Sequence, residues 1–185
     1  MNEPSVLVQD DVIRLVEPGI RHESDFRSLR RRSNRFLTRW EPRRPPGDTP
    51  GSLVEFQRML QKPRGDRSRR IFCERIRDGR IIGQVGILDA MKGPPITVVI
   101  SYWIGRPFVR RGHGTRMVAL AMDHAFQSLG VERIRADIQP GNDASRRLAR
   151  SLGLRMDGYS TQFREIDGER RDHEHWWIQR LDWRG

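Results

Sequence analysis

Residues 96–129 read ITVVISYWI, then GRPFVRRGHG, then TRMVALAMDHAFQSL, and the three pieces decide the fold. In the first, Ile96, Val98, Ile100, Tyr102 and Ile104 alternate with Val99, Ser101 and Trp103. A run apolar on both faces predicts a central strand covered on both sides. In the third, Met117, Ala121, Ala125 and Leu129 step by four, and Val118, Met122 and Phe126 widen the same face. This predicts a long helix, with Gly130 as its stop. Strand, basic glycine turn and helix together aim free backbone N–H groups at a phosphate, with positive side chains beside them. Gly112 and Gly114 lack the third glycine of a dinucleotide fingerprint, since Met117 stands there, and no Walker lysine follows.

At 185 residues the chain predicts a single domain, residues 1–185, large enough to bury a sizeable core. It carries 35 basic and 24 acidic residues, a net charge of +11, and Lys62 and Lys92 are its only lysines. The arginines fit an electrostatic footprint for RNA, a ribosomal surface or an acidic ligand; scattered over solvated faces, they fit no partner at all. Cys73 is alone, which rules out an internal disulfide and suits a reducing compartment. With no signal-like start and no apolar run near ~18 residues, a soluble, cytoplasmic protein without membrane contact is expected.

Outward from the core stretch, Ser5–Val16 predicts an opening strand and His22–Leu37 a polar helix with Phe26, Leu29, Ser33 and Phe36-Leu37 inward. A loop of five prolines and glycines follows Leu37-Thr38-Arg39-Trp40-Glu41-Pro42, whose Trp-Glu pair suits the lip of a cleft. Ser52–Gln61 predicts a second helix, capped by Ser52 with Glu55 three residues on, and with Leu53, Phe56, Met59 and Leu60 inward. Asp78-Gly79 and Asp167-Gly168 read as two-residue hairpin turns between the strands that flank them. Gly83 and Gly86 mark a bulge or a close backbone approach. Arg133–Gln139 alternates as a strand, and Pro140-Gly141 breaks it before a helix capped by Asn142 and ended by Gly153. The pattern is an α/β (mixed α+β) sheet with helices on both faces.

The turn Val109-Arg110-Arg111-Gly112-His113-Gly114 resembles the coenzyme A signature of the GNAT acyltransferase superfamily, Q/R-x-x-G-x-G/A, with Val109 in the first position. Pro140-Gly141-Asn142-Asp143-Ala144-Ser145 with Leu152-Gly153-Leu154 is similar to the second conserved segment of its RimJ/RimL branch, which acetylates ribosomal-protein N-termini. Leu37–Pro42, Tyr102–Gly105 and Asp167–His173 resemble further segments of that branch, in the same order. The resemblance implies a mostly antiparallel, splayed sheet of six to seven strands. It also implies acetyl-CoA as the acyl donor and an amine acceptor, either a protein N-terminus or a small molecule, with a monomer or homodimer as the assembly.

The same resemblance assigns residues. Backbone groups of Tyr102, Trp103 and Ile104 would take up the pantetheine arm, with a strand N–H near Trp103 polarising the thioester carbonyl. The amides of Arg111, Gly112, His113, Gly114 and Thr115 would hold the pyrophosphate, helped by the charges of Arg110 and Arg111. Asn142 and Ser145 would lie along the arm. The family's tyrosine acid is replaced by Ala149, which leaves Ser145 as acid or solvent in its place. Its strand glutamate is replaced by Val99; Glu41 is then the favoured base, ahead of Asp89, Asp137, Glu165 and His173, and loss of the proton without any base also remains open. A carrier- or tRNA-borne acyl group, or a non-catalytic protein docking on RNA or the ribosome, are the competing expectations. His173-Glu174-His175 lacks a third ligand, so no metal is expected. His113 and His124 read as loop and helix-surface residues.

Overall fold

The computed structural model describes residues 5–91 and 93–185. Eight strands form one sheet: β1 (Val6–Gln9), β2 (Ile13–Val16), β3 (Arg69–Arg75), β4 (Arg80–Met91), β5 (Thr97–Ile104), β6 (Arg133–Ile138), β7 (Arg155–Ile166) and β8 (Glu169–Gln179). Their order is β1-β2-β3-β4-β5-β6-β8-β7. Only β5 and β6 run parallel; every other neighbouring pair is antiparallel. The helices are α1 (Glu23–Leu37), α2 (Leu53–Leu60), α3 (His113–Ser128) and α4 (Asp143–Ser151).

The strand count exceeds the expected six to seven because Ser5–Val16 is a hairpin and not one strand. The Asp10 carboxylate accepts from the N–H groups of Val12 and Ile13 at 2.7 and 2.8 Å. A side chain that satisfies two backbone donors at once turns the chain there. Asp78-Gly79 also closes a longer loop than expected, since β3 ends at Arg75 and Gly79 donates to the Arg75 carbonyl. Asp167-Gly168 is the two-residue turn its sequence predicts, with φ of +52° and +83°.

α1 and α2 cover one face of the sheet. Phe26 stacks on Phe72 at 5.2 Å and tilts against Phe56 and Trp103. Each of the three phenylalanines, wholly buried, contributes roughly 1.5–3 kcal/mol. On α2, however, Leu53 and Leu60 are exposed; with eight residues the helix turns only Glu55 and Phe56 fully inward. Phe36, also expected inward, is exposed at the end of α1. α3 covers the other face with Met117, Val118, Ala121, Met122 and Ala125. His113 and His124 are buried there too, contrary to the surface positions expected of them. The side-chain neighbours of Gly114, Leu148 of α4 and Ile104 of β5, place α4 on that same face.

α1 is fixed at both ends, and this sets the position of its cleft-facing residues. At its start Glu74, fully buried, accepts from Arg14, Arg21 and His22 at 2.6–2.9 Å. Towards its end the buried Ser33 hydroxyl accepts from the Arg106 N–H at 3.0 Å, pinning the bend that follows β5.

Candidate active site

The parallel pairing of β5 with β6 stops after three residues: Thr97, Val98 and Val99 face Arg133, Ile134 and Arg135. Beyond Val99 the strands part, while β5 stays paired to β4 as far as Ile104. Two hydrogen bonds show which way each main-chain group of β5 points. The Ile96 carbonyl accepts from Arg133 on the β6 side, and the Gly105 N–H donates to Ile82 at 2.8 Å on the β4 side. Successive residues of a strand alternate in direction. Tyr102 and Ile104 therefore turn their amides into the gap, whereas Trp103 turns its own towards β4. The strand N–H expected near Trp103 is therefore that of Tyr102 or Ile104, one residue to either side.

At the wide end of the gap sits the glycine turn. Arg110 and Gly112 lie in the left-handed region, φ +61° and +76°, which costs a glycine almost nothing. Among the described residues no N–H from Arg110 to Thr115 makes a hydrogen bond; Arg116 is the first to donate, to Gly112 at 3.2 Å. Six consecutive amides without acceptors, at the start of a 16-residue helix, are chemically suited to an anion. Beyond the gap, Asn142 caps α4 by accepting from the Ser145 N–H at 3.2 Å, as its position predicts.

A cleft of about 1070 Å³ runs from this turn, past the parted strands, to the loop after α1. Its cofactor-side lining includes Tyr102, Trp103, Ile104, Arg110, Gly112, Gly114, Thr115, Asn142 and Ser145. Arg111 and His113 do not line it. The imidazole of His113 is buried beneath the turn, where burial and the charges of Arg75, Arg111 and Arg116 lower its pKa. The Tyr102 hydroxyl is buried without a hydrogen-bond partner among the described residues. Burial raises its pKa to about 12 against a smaller opposing effect of the Ser145 hydroxyl.

The other half of the cleft is built of charged side chains. Arg30, 3 % exposed, sends both terminal nitrogens to the two oxygens of Glu41 at 2.9 and 2.8 Å and its Nε to Glu55 at 2.9 Å. Its guanidinium also lies 4.9 Å above the Trp103 ring. Arg44 reaches Glu41 at 3.3 Å and Glu55 at 3.0 Å. Glu41 lies at the cleft as expected, with both of its oxygens engaged by Arg30 and Arg44, so that it positions Arg30.

Asp89, Asp137, Glu165 and His173 are not in the lining of the cleft. Asp137 is held by Arg135, Arg164 and His175, and His173 is packed against Phe163. Sequence reasoning missed Arg30, Arg44, Arg58 and Arg70 in the lining. The one hint was a buried position for arginine, the step from Phe26 to Arg30 to Ser33, on the apolar side of α1. No group of three or more metal-ligating side chains occurs among the described residues. No helix among them is long and apolar enough to cross a membrane.

Residues 15–155 match the family model described as an acetyltransferase (GNAT) domain. A probable N-acetyltransferase of Bacillus subtilis, YjcK, is 29 % identical over 122 residues, which are 66 % of this chain and 66 % of that one. The ribosomal protein uS5-alanine N-acetyltransferase of Escherichia coli is 27 % identical over 103 residues, 56 % of this chain and 53 % of the relative. The matches thus span just under two thirds and about half of the relatives' own lengths. A structure of Mycobacterium smegmatis RimJ with CoA-disulfide superposes with a TM-score of 0.81 at 25 % identity, covering 90 % of this chain and 81 % of that one.

Proposed function

The chain belongs to the GNAT acetyltransferase family, and from that premise we propose that it transfers an acetyl group from acetyl-CoA to a primary amine. The observation that carries this is the run of unpartnered amides from Arg110 to Thr115 beside strands that have parted. The amides suit a diphosphate, with Arg110 adding charge. The free groups of Tyr102 and Ile104 suit an extended amide-bearing arm, which they bind as they would an added strand. Acetyl-CoA supplies a thioester whose carbonyl carbon the amine attacks directly. A Tyr102 or Ile104 N–H aimed into the gap stabilises the charge that develops on the carbonyl oxygen, a contribution of roughly 3–4 kcal/mol where such donors have been removed elsewhere. The Tyr102 and Ser145 hydroxyls supply the hydrogen-bond donors for the departing sulfur.

A protein N-terminus is the favoured acceptor, on the strength of the uS5-alanine N-acetyltransferase and RimJ likenesses; a small-molecule amine is the second. The parted strands and vacant amides have no use in a protein that merely docks on RNA, which makes that reading the weaker one. Calorimetry with acetyl-CoA, followed by thiol release with N-terminal alanine peptides and small amines, tests the proposal. Micromolar binding and amine-dependent thiol release are expected. No binding of acetyl-CoA, or binding with no amine ever acetylated, would refute it.

A further inference from the structure

The half of the cleft beyond Trp103 is lined by six arginines, Arg30, Arg39, Arg43, Arg44, Arg58 and Arg70, and by three carboxylates, Glu41, Asp48 and Glu55. The carboxylates are fully engaged: Glu41 and Glu55 by Arg30 and Arg44, Asp48 by Arg58 and Arg44. Arg39, Arg43 and Arg70 have no carboxylate within 4.0 Å among the described residues. Three positive charges in this half are therefore uncompensated. Arg70 is the sharpest case. Half-buried at the start of β3, its guanidinium has one protein acceptor, the Gln61 carbonyl at 2.6 Å. Burial and the neighbouring charge of Arg58 lower its pKa, so its ionic neighbour has the wrong sign. The Nε of Arg58, in turn, is buried without a hydrogen-bond partner.

A bare ammonium would be repelled from such a site. An amine that carries its own negative group would be drawn in and its anion gripped, since planar guanidinium donors match carboxylate and phosphate oxygens. On the basis of the acetyl-transfer reading above, we infer that the acceptor is an amine bearing a carboxylate or phosphate, seated on Arg70 and Arg58. The charges the bound anion leaves unpaired, those of Arg39 and Arg43, take the place of a side-chain base. Positive neighbours disfavour an ammonium and lower its pKa. The ammonium proton leaves to water, and the amine adds to the thioester carbonyl to give a tetrahedral oxyanion. As the C=O bond re-forms the C–S bond breaks and the sulfur departs as a thiolate, while the extra proton on nitrogen passes to solvent or to that sulfur.

Two sources fit this chemistry, a small anionic amine and a peptide N-terminus followed by acidic residues. The CoA-loaded protein is titrated in a calorimeter with O-phosphoethanolamine against ethanolamine. A second pair is an N-terminal alanine peptide with Asp and Glu next in line against the same peptide with Gln. Turnover with acetyl-CoA is measured for each. At least one anionic probe is expected to exceed its neutral partner tenfold or more, and the winning pair identifies the source. In Arg70→Met that preference falls about tenfold, in Arg70→Lys it largely survives, and acetyl-CoA binding reports that both variants are folded. The rising limb of kcat/KM against pH is expected below the free amine's own pKa. Neutral probes equal to or better than both anionic ones, or a preference untouched in Arg70→Met, would overturn the inference. Loss of acetyl-CoA binding or of all turnover in the unmodified protein would instead sink the acetyl-transfer reading itself.

Discussion

The two halves of the cleft are made of different material. On the cofactor side the groups on offer are main-chain amides: those of Arg110–Thr115 and, in the gap between β5 and β6, those of Tyr102 and Ile104. On the acceptor side they are side chains, locked in a lattice of arginines and carboxylates around Arg30. Main-chain geometry is set by the strand, the glycines and the helix that follows, and it tolerates wide changes of side chain. A side-chain lattice holds only while every member is present. One half should therefore resist substitution except where bulk fills it, and the other should fail as a unit.

The largest effect is expected from Arg30→Met. It strands Glu41 and Glu55 without their central partner, and breaking a buried pair from one side costs about 3–5 kcal/mol. Urea unfolding should show that loss, and Arg30→Lys should not restore it, because an ammonium cannot make three divergent hydrogen bonds in one plane. Were Arg30→Met to lose under ~1 kcal/mol, far below that range, the lattice would not be the unit described. Gly114→Leu is the matching test of the cofactor side. Its side chain would start 3.4–3.6 Å from Leu148 and Ile104 and grow into the space beside the free amides. Acetyl-CoA affinity should fall at least tenfold, about 1.4 kcal/mol, with far less change in stability. Retained affinity would mean that the ligand does not lie against that turn.

Asn142→Ala removes a helix cap and should cost about 1 kcal/mol in unfolding. Arg110→Ala should weaken acetyl-CoA binding a few-fold, and more at low salt than at high, as a surface charge does. Arg111→Ala should do less, because Arg111 is not in the lining. The smallest effect concerns pH. Burial lowers the pKa of His113, and of His124 and His173, below the usual histidine value of 6.5. The unfolded chain then binds more protons than the folded one as pH drops below about 6.5. Stability from these residues is present above that pH and is lost as pH falls through the lower folded-state values. Thermal melts between pH 8 and 5 should show a modest fall in Tm. A flat profile in His113→Gln would locate the effect beneath the glycine turn.

The cofactor side was readable from sequence because its signals are local. Alternation marks β5, two glycines just before an apolar helical face mark the turn, and Asn142 sits three residues before the N–H it caps. The acceptor side was not readable, because each role depends on partners far along the chain. Glu41 reads as a free carboxylate at a lip until Arg30 is found beneath it, and Arg30 is paired with Glu55, 25 residues away. His113 reads as a loop residue because nothing nearby announces that its ring is buried. The direction of the Trp103 N–H needed the register with β4, and the division of Ser5–Val16 needed the reach of the Asp10 side chain.

The central claim is that the Arg110–Thr115 amides bind the diphosphate of acetyl-CoA. Amide-resolved nitrogen–proton NMR during titration with acetyl-CoA, and then with S-acetylpantetheine, which has no diphosphate, addresses it most directly. With acetyl-CoA the amides of Arg110–Thr115 should shift together with those of Tyr102 and Ile104. With S-acetylpantetheine only the strand amides should move. Saturable acetyl-CoA binding that leaves the six turn amides where they were would contradict the account.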